Sequence, residues 1–209
     1  LKLGQADGFN VNWRDCHGFT ALAAAAHGGK AWCSQLLIDA GADLTAKTNE
    51  GYTALHLASD HGHVDCVNQL LTAKVDVNVV DSDSNTALHL AADTGHESCT
   101  AALLDAAIDI NHSNNMGATA LHASCLNGHD ECAKLLIVAK ATINNTAKNG
   151  CTALHACSGN GHAKCVALLL EQGAELLVRY NDKTALMWAQ QKARGDCVAL
   201  LKGPTEEAE

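Results

Sequence analysis

In the stretch GHVDCVNQLL, residues 62–71, apolar side chains recur at Cys66 and Leu70, and again at Val67 and Leu71, each pair four residues apart. Side chains at that spacing share one stripe of a helix. Just upstream, TALHLAS opens on Thr53, whose hydroxyl suits the position before a first helical turn, and Gly62 breaks that helix before the second begins. The pattern predicts two short helices. A polar, extended segment, VDVNVVDSDSN, residues 75–85, follows them and reads as a hairpin or long β-turn.

The same cassette returns down the chain. TAL begins at Thr20, Thr53, Thr86, Thr119, Thr152 and Thr184, with four intervals of 33 residues and a last one of 32. Gly29, Gly62, Gly95, Gly128 and Gly161 follow their threonines by nine residues, and Cys33, Cys66, Cys99, Cys132, Cys165 and Cys197 by thirteen. Helix pairs this short cannot bury their own apolar face, so stacking of successive units must supply the core. The cysteines then form a ladder, expected to be buried in all six units, where a small apolar side chain fits. Rungs about 8–10 Å apart lie beyond the ~7 Å reach of a disulfide, so free thiols are expected. Cys16 and Cys151, at finger tips, are the thiols expected to be exposed.

The residues GYTALHLASDHGHVDCVNQLL, 51–71, and GCTALHACSGNGHAKCVALLLEQGAEL, 150–176, closely resemble the ankyrin repeat. The resemblance covers residues 10–202 and implies an all-α repeat solenoid, a stack of helix pairs joined by β-hairpin fingers, with a concave face that binds other proteins. Six repeats would start near Gly18, Gly51, Ser84, Gly117, Gly150 and Asp182. Residues 1–17 read as the tail of a preceding unit and a first finger, and GPTEEAE, 203–209, as an acidic disordered tail. The opening Leu1, Lys2 and Leu3 point to an array cut from a larger intracellular protein. In the family the histidine of TALH bonds within its own turn and to the next unit, which is the reading of His56, His89, His122 and His155.

Three departures from the family pattern carry expectations. Ala follows every capping Thr where Pro is usual, at little cost because Ala is the best helix former. The glycine expected past the second helix is present at Gly41 and Gly173 but replaced by Lys74, Ala107 and Lys140. Left-handed backbone at those three would cost about 1–2 kcal/mol each. In the last unit Ala193 and Arg194 replace the Gly-His pair, which resembles a C-terminal cap.

Charge narrows the partner. With 14 Lys and Arg against 23 Asp and Glu, a net charge of −9 and no basic stripe, nucleic acid is not expected, and a neutral or basic protein or peptide is. No apolar run reaches the ~18 residues of a membrane span, and a monomer is expected. Ten cysteines without a disulfide framework point to a reducing compartment, cytoplasmic or nuclear.

Twelve histidines and ten cysteines raise a metal site, but no C-x-x-C occurs and the repeated His and Cys lie ten apart on different helices, so no metal or other cofactor is expected. DSDSN, residues 81–85, imitates the start of an EF-hand loop, yet Thr86 and Ala92 stand where Gly and Glu are needed. Phosphate-loop, G-x-S-x-G and H-E-x-x-H motifs are absent, which leaves only a Cys151–His122 dyad to consider and no enzyme expected.

Function should sit where the units disagree, at the finger tips and the end of the first helix. The candidates for partner binding are Trp13, Arg14, His17, Phe19 and His27 in the first unit, Glu50, Tyr52, Asp60 and His61 in the second, Asp83 and Asn85 in the third, and Met116 and Leu126 in the fourth. Trp, Tyr and Arg are frequent interface anchors, though Trp13 and Phe19 read equally well as a cover over the first unit. Trp32 is assigned to the outer face of its helix. Asn78 and Asn111 are candidate modification sites, because the family's matching Asn is hydroxylated in some animal proteins; the plainer reading is a turn side chain bonding its own backbone. A non-catalytic protein-interaction module leads. Alternatives are a structural spacer, a regulatory domain of a ubiquitin-ligase adaptor, signalling enzyme or channel, or an engineered scaffold.

Overall fold

A computed structural model describes residues 10–203. The proposed tail at 203–209 lies outside them apart from Gly203, as do the first nine residues of the 1–17 segment. The chain divides into two compact units, one of residues up to Ala91 with His96–Asp109, the other of Ala92–Gly95 with Ile110 onward. The first holds α1 (Ala21–His27) with α2 (Ala31–Asp39), α3 (Ala54–Asp60) with α4 (Val64–Thr72), and most of α5 (Ala87–Thr94) with α6 (Glu97–Asp105). The second holds α7 (Ala120–Asn127) with α8 (Asp130–Val138), α9 (Ala153–Asn160) with α10 (Ala163–Glu171), and α11 (Ala185–Gln191) with α12 (Gly195–Lys202). The fold is all-α. Among the described residues no strand forms, and the only β-bridges are isolated pairs, Thr146 with Thr152 and Tyr180 with Lys183. The fingers are therefore tight hairpin turns without a ladder.

Stacking supplies the core, as helices of seven to nine residues require. In the first unit α1 lies against α3, and α4 against both α2 and α6; in the second α9 lies between α7 and α11, and α10 between α8 and α12. The leucine after each TAL threonine is buried, from Leu22 to Leu154, and so are Leu70, Leu103, Leu136 and Leu169 of the second helices. Most of the interior is alanine, leucine and cysteine.

Among the first helices, α3, α7 and α9 each start on a reciprocal cap. The Thr53 backbone N–H donates to His56 Nδ1 at 3.2 Å, and Nε2 lies 3.1 Å from the Asn85 carbonyl oxygen of the following finger. An amide N–H is only ever a donor, so Nδ1 is bare and Nε2 carries the proton. His122 repeats this with Thr119 and the Cys151 carbonyl, and His155 with Thr152 and the Lys183 carbonyl. His89 accepts from the Thr86 N–H in the same way. Burial holds His56, His122 and His155 below the ordinary histidine range.

A second imidazole series faces the other way along the stack. His63, His96, His129 and His162 each donate Nε2 to a carbonyl of the preceding helix pair, those of His27, Asp60, Asp93 and Leu126, at 2.9–3.0 Å. Their rings lie on Gly29, Gly62, Gly95 and Gly128, where a Cβ would stand 2.3–2.5 Å from Nδ1. Only glycine fits, for that contact as well as for the positive φ. In the last repeat Arg194 takes the histidine's part, with Nε 3.3 Å from the Gly159 carbonyl and Cδ against Gly161, so it continues the stack's bonding.

The strained turns anticipated at Lys74, Ala107 and Lys140 are present, with φ of 61°, 57° and 72°. Two measurements follow. Lys74→Gly, Ala107→Gly and Lys140→Gly should each stabilise the fold by about 1 kcal/mol, nearly additively, because relief of left-handed strain exceeds the entropy glycine adds to the unfolded chain; urea midpoints at constant slope read this out. The buried neutral histidines titrate normally once unfolded, so the unfolded chain binds more protons below its pKa of about 6.5. Their contribution is intact above that pH and is lost as pH falls toward the lowered folded values. Urea midpoints between pH 7.5 and 5 should drop accordingly, and His56→Gln should flatten the slope by about one proton.

Candidate functional site

The finger tips owe their shape to one closing bond each. The N–H of Asp15, Thr48, Asp81, Asn114 and Ala147 donates to the carbonyl four residues on, at 2.8–3.0 Å, while Tyr180 reaches Lys183, three residues on, which accounts for the 32-residue last interval. The side chain of the first residue finishes the turn: Asp15 Oδ1 accepts from the His17 and Phe19 amides, Asp81 Oδ1 from Asp83 and Asn85, and Asn114 Oδ1 from Met116 and Ala118. Asp81, buried in the DSDSN stretch, is thus a turn organiser. At the finger bases Asn12, Asn78, Asn111 and Asn144 accept from the backbone N–H of Asp43, Asp109, Thr142 and Glu175, at 2.7–3.0 Å. Where the sequence suggests Asn78 and Asn111 bonding their own backbone, each accepts from the backbone of the neighbouring finger.

In the first compact unit the nominated residues fall into separate groups. Phe19 meets His27 edge-on at 6.0 Å, His27 meets His61 at 4.2 Å, and His61 lies over His63 at 6.1 Å, making a row of rings with Asp60 3.5 Å from His61. Tyr52 packs instead on His56, at 6.2 Å, and burial together with Asp81, Asp60, Asp83 and Glu50 pushes its hydroxyl pKa up. Arg14 is committed to structure, with Nε donating to the Gly18 carbonyl at 3.2 Å and Nη2 to that of Lys47. Asn85 is committed too, its Nδ2 on Asp81 and its carbonyl on His56. Trp13 is 66% exposed, and His17, Glu50 and Asp83 are exposed at the tips. Trp32, 76% exposed, stands on the surface of α2.

The second unit holds a groove of about 420 Å³ that joins two nominated residues to several that were not. Its lining includes Met116, Ala123 and Leu126, then Ala156 and Gly159, then Tyr180 and Trp188, from successive repeats. Met116 and Leu126 are 70% and 49% exposed. Its cause is a single repeat position, four residues after the capping Thr. Leu57 and Leu90 stand there in the second and third repeats, Ala123 and Ala156 leave space in the fourth and fifth, and Trp188 closes it in the sixth. Trp188 is pinned by its Nε1 on the Tyr180 carbonyl at 3.1 Å, by stacking on Tyr180 at 5.2 Å, and by Lys183 Nζ 5.2 Å over its face. The substitution of alanine for leucine at that position was the available signal. It escapes notice because a small residue in a helix reads as packing.

The thiols sort by neighbour. Cys66, Cys99, Cys132, Cys165 and Cys197 are buried as expected, but Cys33 is exposed, which corrects the first rung of the ladder. Cys66 packs beside Ser34 of the preceding helix pair, whereas among the described residues no helix pair precedes α1 and α2 to pack on Cys33 in that way. All ten cysteines are free, Cys16 is exposed, and Cys151 is only half-exposed in the groove, not open at a tip. Burial raises the pKa of Cys66, Cys151 and Cys197, and contacts among the thiols of Cys125, Cys157 and Cys165 raise those of Cys125 and Cys165. His122 offers Cys151 no base, since its Nδ1 is held by Thr119 and its Nε2 proton points at the Cys151 carbonyl.

A family model described as ankyrin repeats matches the chain three times, over residues 2–81, 65–149 and 136–208. No curated protein matches it. Among the described residues no helix is long and apolar enough to cross a membrane. A thiol reagent applied to the folded protein should modify Cys16 and Cys33 first and Cys151 more slowly, while the buried rungs react only on unfolding; mass-resolved labelling separates these classes.

Proposed function

The chain belongs to the ankyrin-repeat family, whose members serve generally as protein-interaction modules, and from that premise we propose that it docks a partner protein on the face formed by its finger tips and first helices, without catalysis. The observation that carries this reading is the exposure of Met116 and Leu126 beside an apolar groove in the second unit, with the Phe19–His27–His61 row drawn from the finger and first helices of the first. Buried aromatic and aliphatic anchors dominate interface energies, and exposed charges such as Glu50 and Asp83 steer encounter. The net charge of −9 favours a neutral or basic partner. Trp13, His17 and Tyr52 remain candidates for contact, while Arg14 and Asn85 act by holding the fingers in place.

The finer placement is part of the proposal. The array works as a monomer in a reducing compartment. Asn78 and Asn111, exposed at finger bases, are candidate modification sites whose alteration would weaken the bonds to Asp109 and Thr142. The competing reading is a spacer that binds nothing on this face. With residues 1–209 as bait, a recovered partner should bind at least about tenfold more weakly to Met116→Ala/Leu126→Ala or to Trp13→Ala/Tyr52→Ala. If both double variants keep full affinity, docking on this face is refuted and the spacer reading gains.

A further inference from the structure

The groove of the second unit has a more particular chemistry than a general docking face. Resting on the protein-binding reading above, we propose that it receives an extended peptide segment of the partner, which inserts one large apolar side chain over Ala156 against Trp188 and carries a basic residue toward Asp93 and a carboxylate toward Lys192.

The volume sets the anchor. About 420 Å³ lies within the range of specific ligand pockets, and the floor of Ala123, Ala156 and Gly159 offers only small apolar surface. Trp188 supplies a wall on which a leucine or phenylalanine packs. The rim suits a backbone. Asn149 uses Oδ1 on the Cys151 N–H at 2.9 Å and keeps its Nδ2 to donate, whereas Asn160 uses Nδ2 on the Leu126 and Ala156 carbonyls and keeps its Oδ1 to accept. An extended segment presents a carbonyl and an N–H at each residue, so one spare donor and one spare acceptor match it.

Charge fixes the ends. Asp93, its carboxylate held by Asn127 Nδ2 at 2.8 Å, lines the groove from the third repeat, and the exposed Lys192 lines it from the sixth. Three steps between stacked helix pairs, about 8–10 Å each, separate those ends. At about 3.3 Å per residue, seven to nine extended residues span them. The partner's segment is therefore short, with a central apolar residue and opposite charges at its two ends.

The test uses Trp188 as reporter. In a Trp13→Phe/Trp32→Phe protein it is the sole tryptophan, and its emission is followed while a blocked seven-residue peptide is added, with lysine first, phenylalanine fourth, glutamate last and alanine elsewhere. Saturable change is expected. Alanine at the fourth position, or Ala156→Leu in the protein, should weaken binding about tenfold; Ala156→Leu places there the residue that repeats two and three already carry, so its melting temperature should be preserved. Lys192→Glu should favour a peptide with lysine at both ends over the original. Unchanged Trp188 emission, equal binding of the alanine peptide, or undiminished binding to Ala156→Leu each overturns the proposal. The broader reading is scored apart: a recovered partner that still binds Ala156→Leu but is lost on Trp13→Ala/Tyr52→Ala leaves the interaction module standing without this groove. Failure to recover any partner counts against the module, while the peptide titration still decides the groove.

Discussion

A neutral imidazole that accepts from one repeat and donates to the next is the interaction on which this fold depends. His56 illustrates it: Nδ1 takes the Thr53 amide at the start of α3, and Nε2 gives its proton to the Asn85 carbonyl of the following finger. Each such bond contributes about 0.5–1.5 kcal/mol net, but loss of the ring would strand a buried amide and a buried carbonyl, at about 1–3 kcal/mol each. The asymmetry explains why a group that both accepts and donates stands at His56, His122 and His155. A side chain with only acceptors would satisfy the cap and leave the carbonyl unpaired, and a protonated imidazole would satisfy the carbonyl and repel the amide. Burial and hydrogen bonding thus agree on the neutral form. The same coupling makes the stack sensitive to mild acid, since protonation attacks the cap and the link between repeats together.

The threonine interval, the glycine after each first helix and the histidine three residues past each cap were legible in the sequence because each is dictated by local geometry and repeats. So were the strained positions at Lys74, Ala107 and Lys140, since a register that demands left-handed backbone does so whatever residue occupies it. What escaped was decided by neighbours. Cys33 has the same local sequence position as Cys66 and the opposite exposure, because burial of that rung is supplied by the preceding helix pair. Asn78 looks like a turn residue bonding itself, yet the amide of Asp109 meets it. The groove was least visible, being an absence of side-chain volume shared between repeats at Ala123 and Ala156 rather than the presence of a reactive group.

That contrast separates framework from function. Where His and the finger-base Asn bond across the stack, and where Gly29, Gly62, Gly95 and Gly128 admit the next ring, a change disturbs two repeats at once. Freedom concentrates at the residue before each Thr and the fourth residue after it. Phe19 and Tyr52 fill the first of these in the opening repeats, while Ala118 and Cys151 leave it sparsely occupied later. The first unit consequently presents rings and charges, and the second presents a hollow. One repeat geometry thus yields two kinds of surface without altering a single framework bond.

The last repeat tests whether the glycine requirement is one constraint or two. Gly161 has φ of 89° and meets Arg194, whose Cδ would lie 2.8 Å from an added Cβ. Ala193 occupies the equivalent position one repeat later with φ of 53°, and among the described residues no further histidine or arginine follows to lie upon it. Left-handed backbone alone is therefore tolerated with a side chain, at about 1–2 kcal/mol, as Lys74, Ala107 and Lys140 also show. What excludes a side chain at Gly29, Gly62, Gly95 and Gly128 is the ring of the next repeat. The residue at that position is chosen by the neighbour it must admit, and only secondarily by its own dihedral angles.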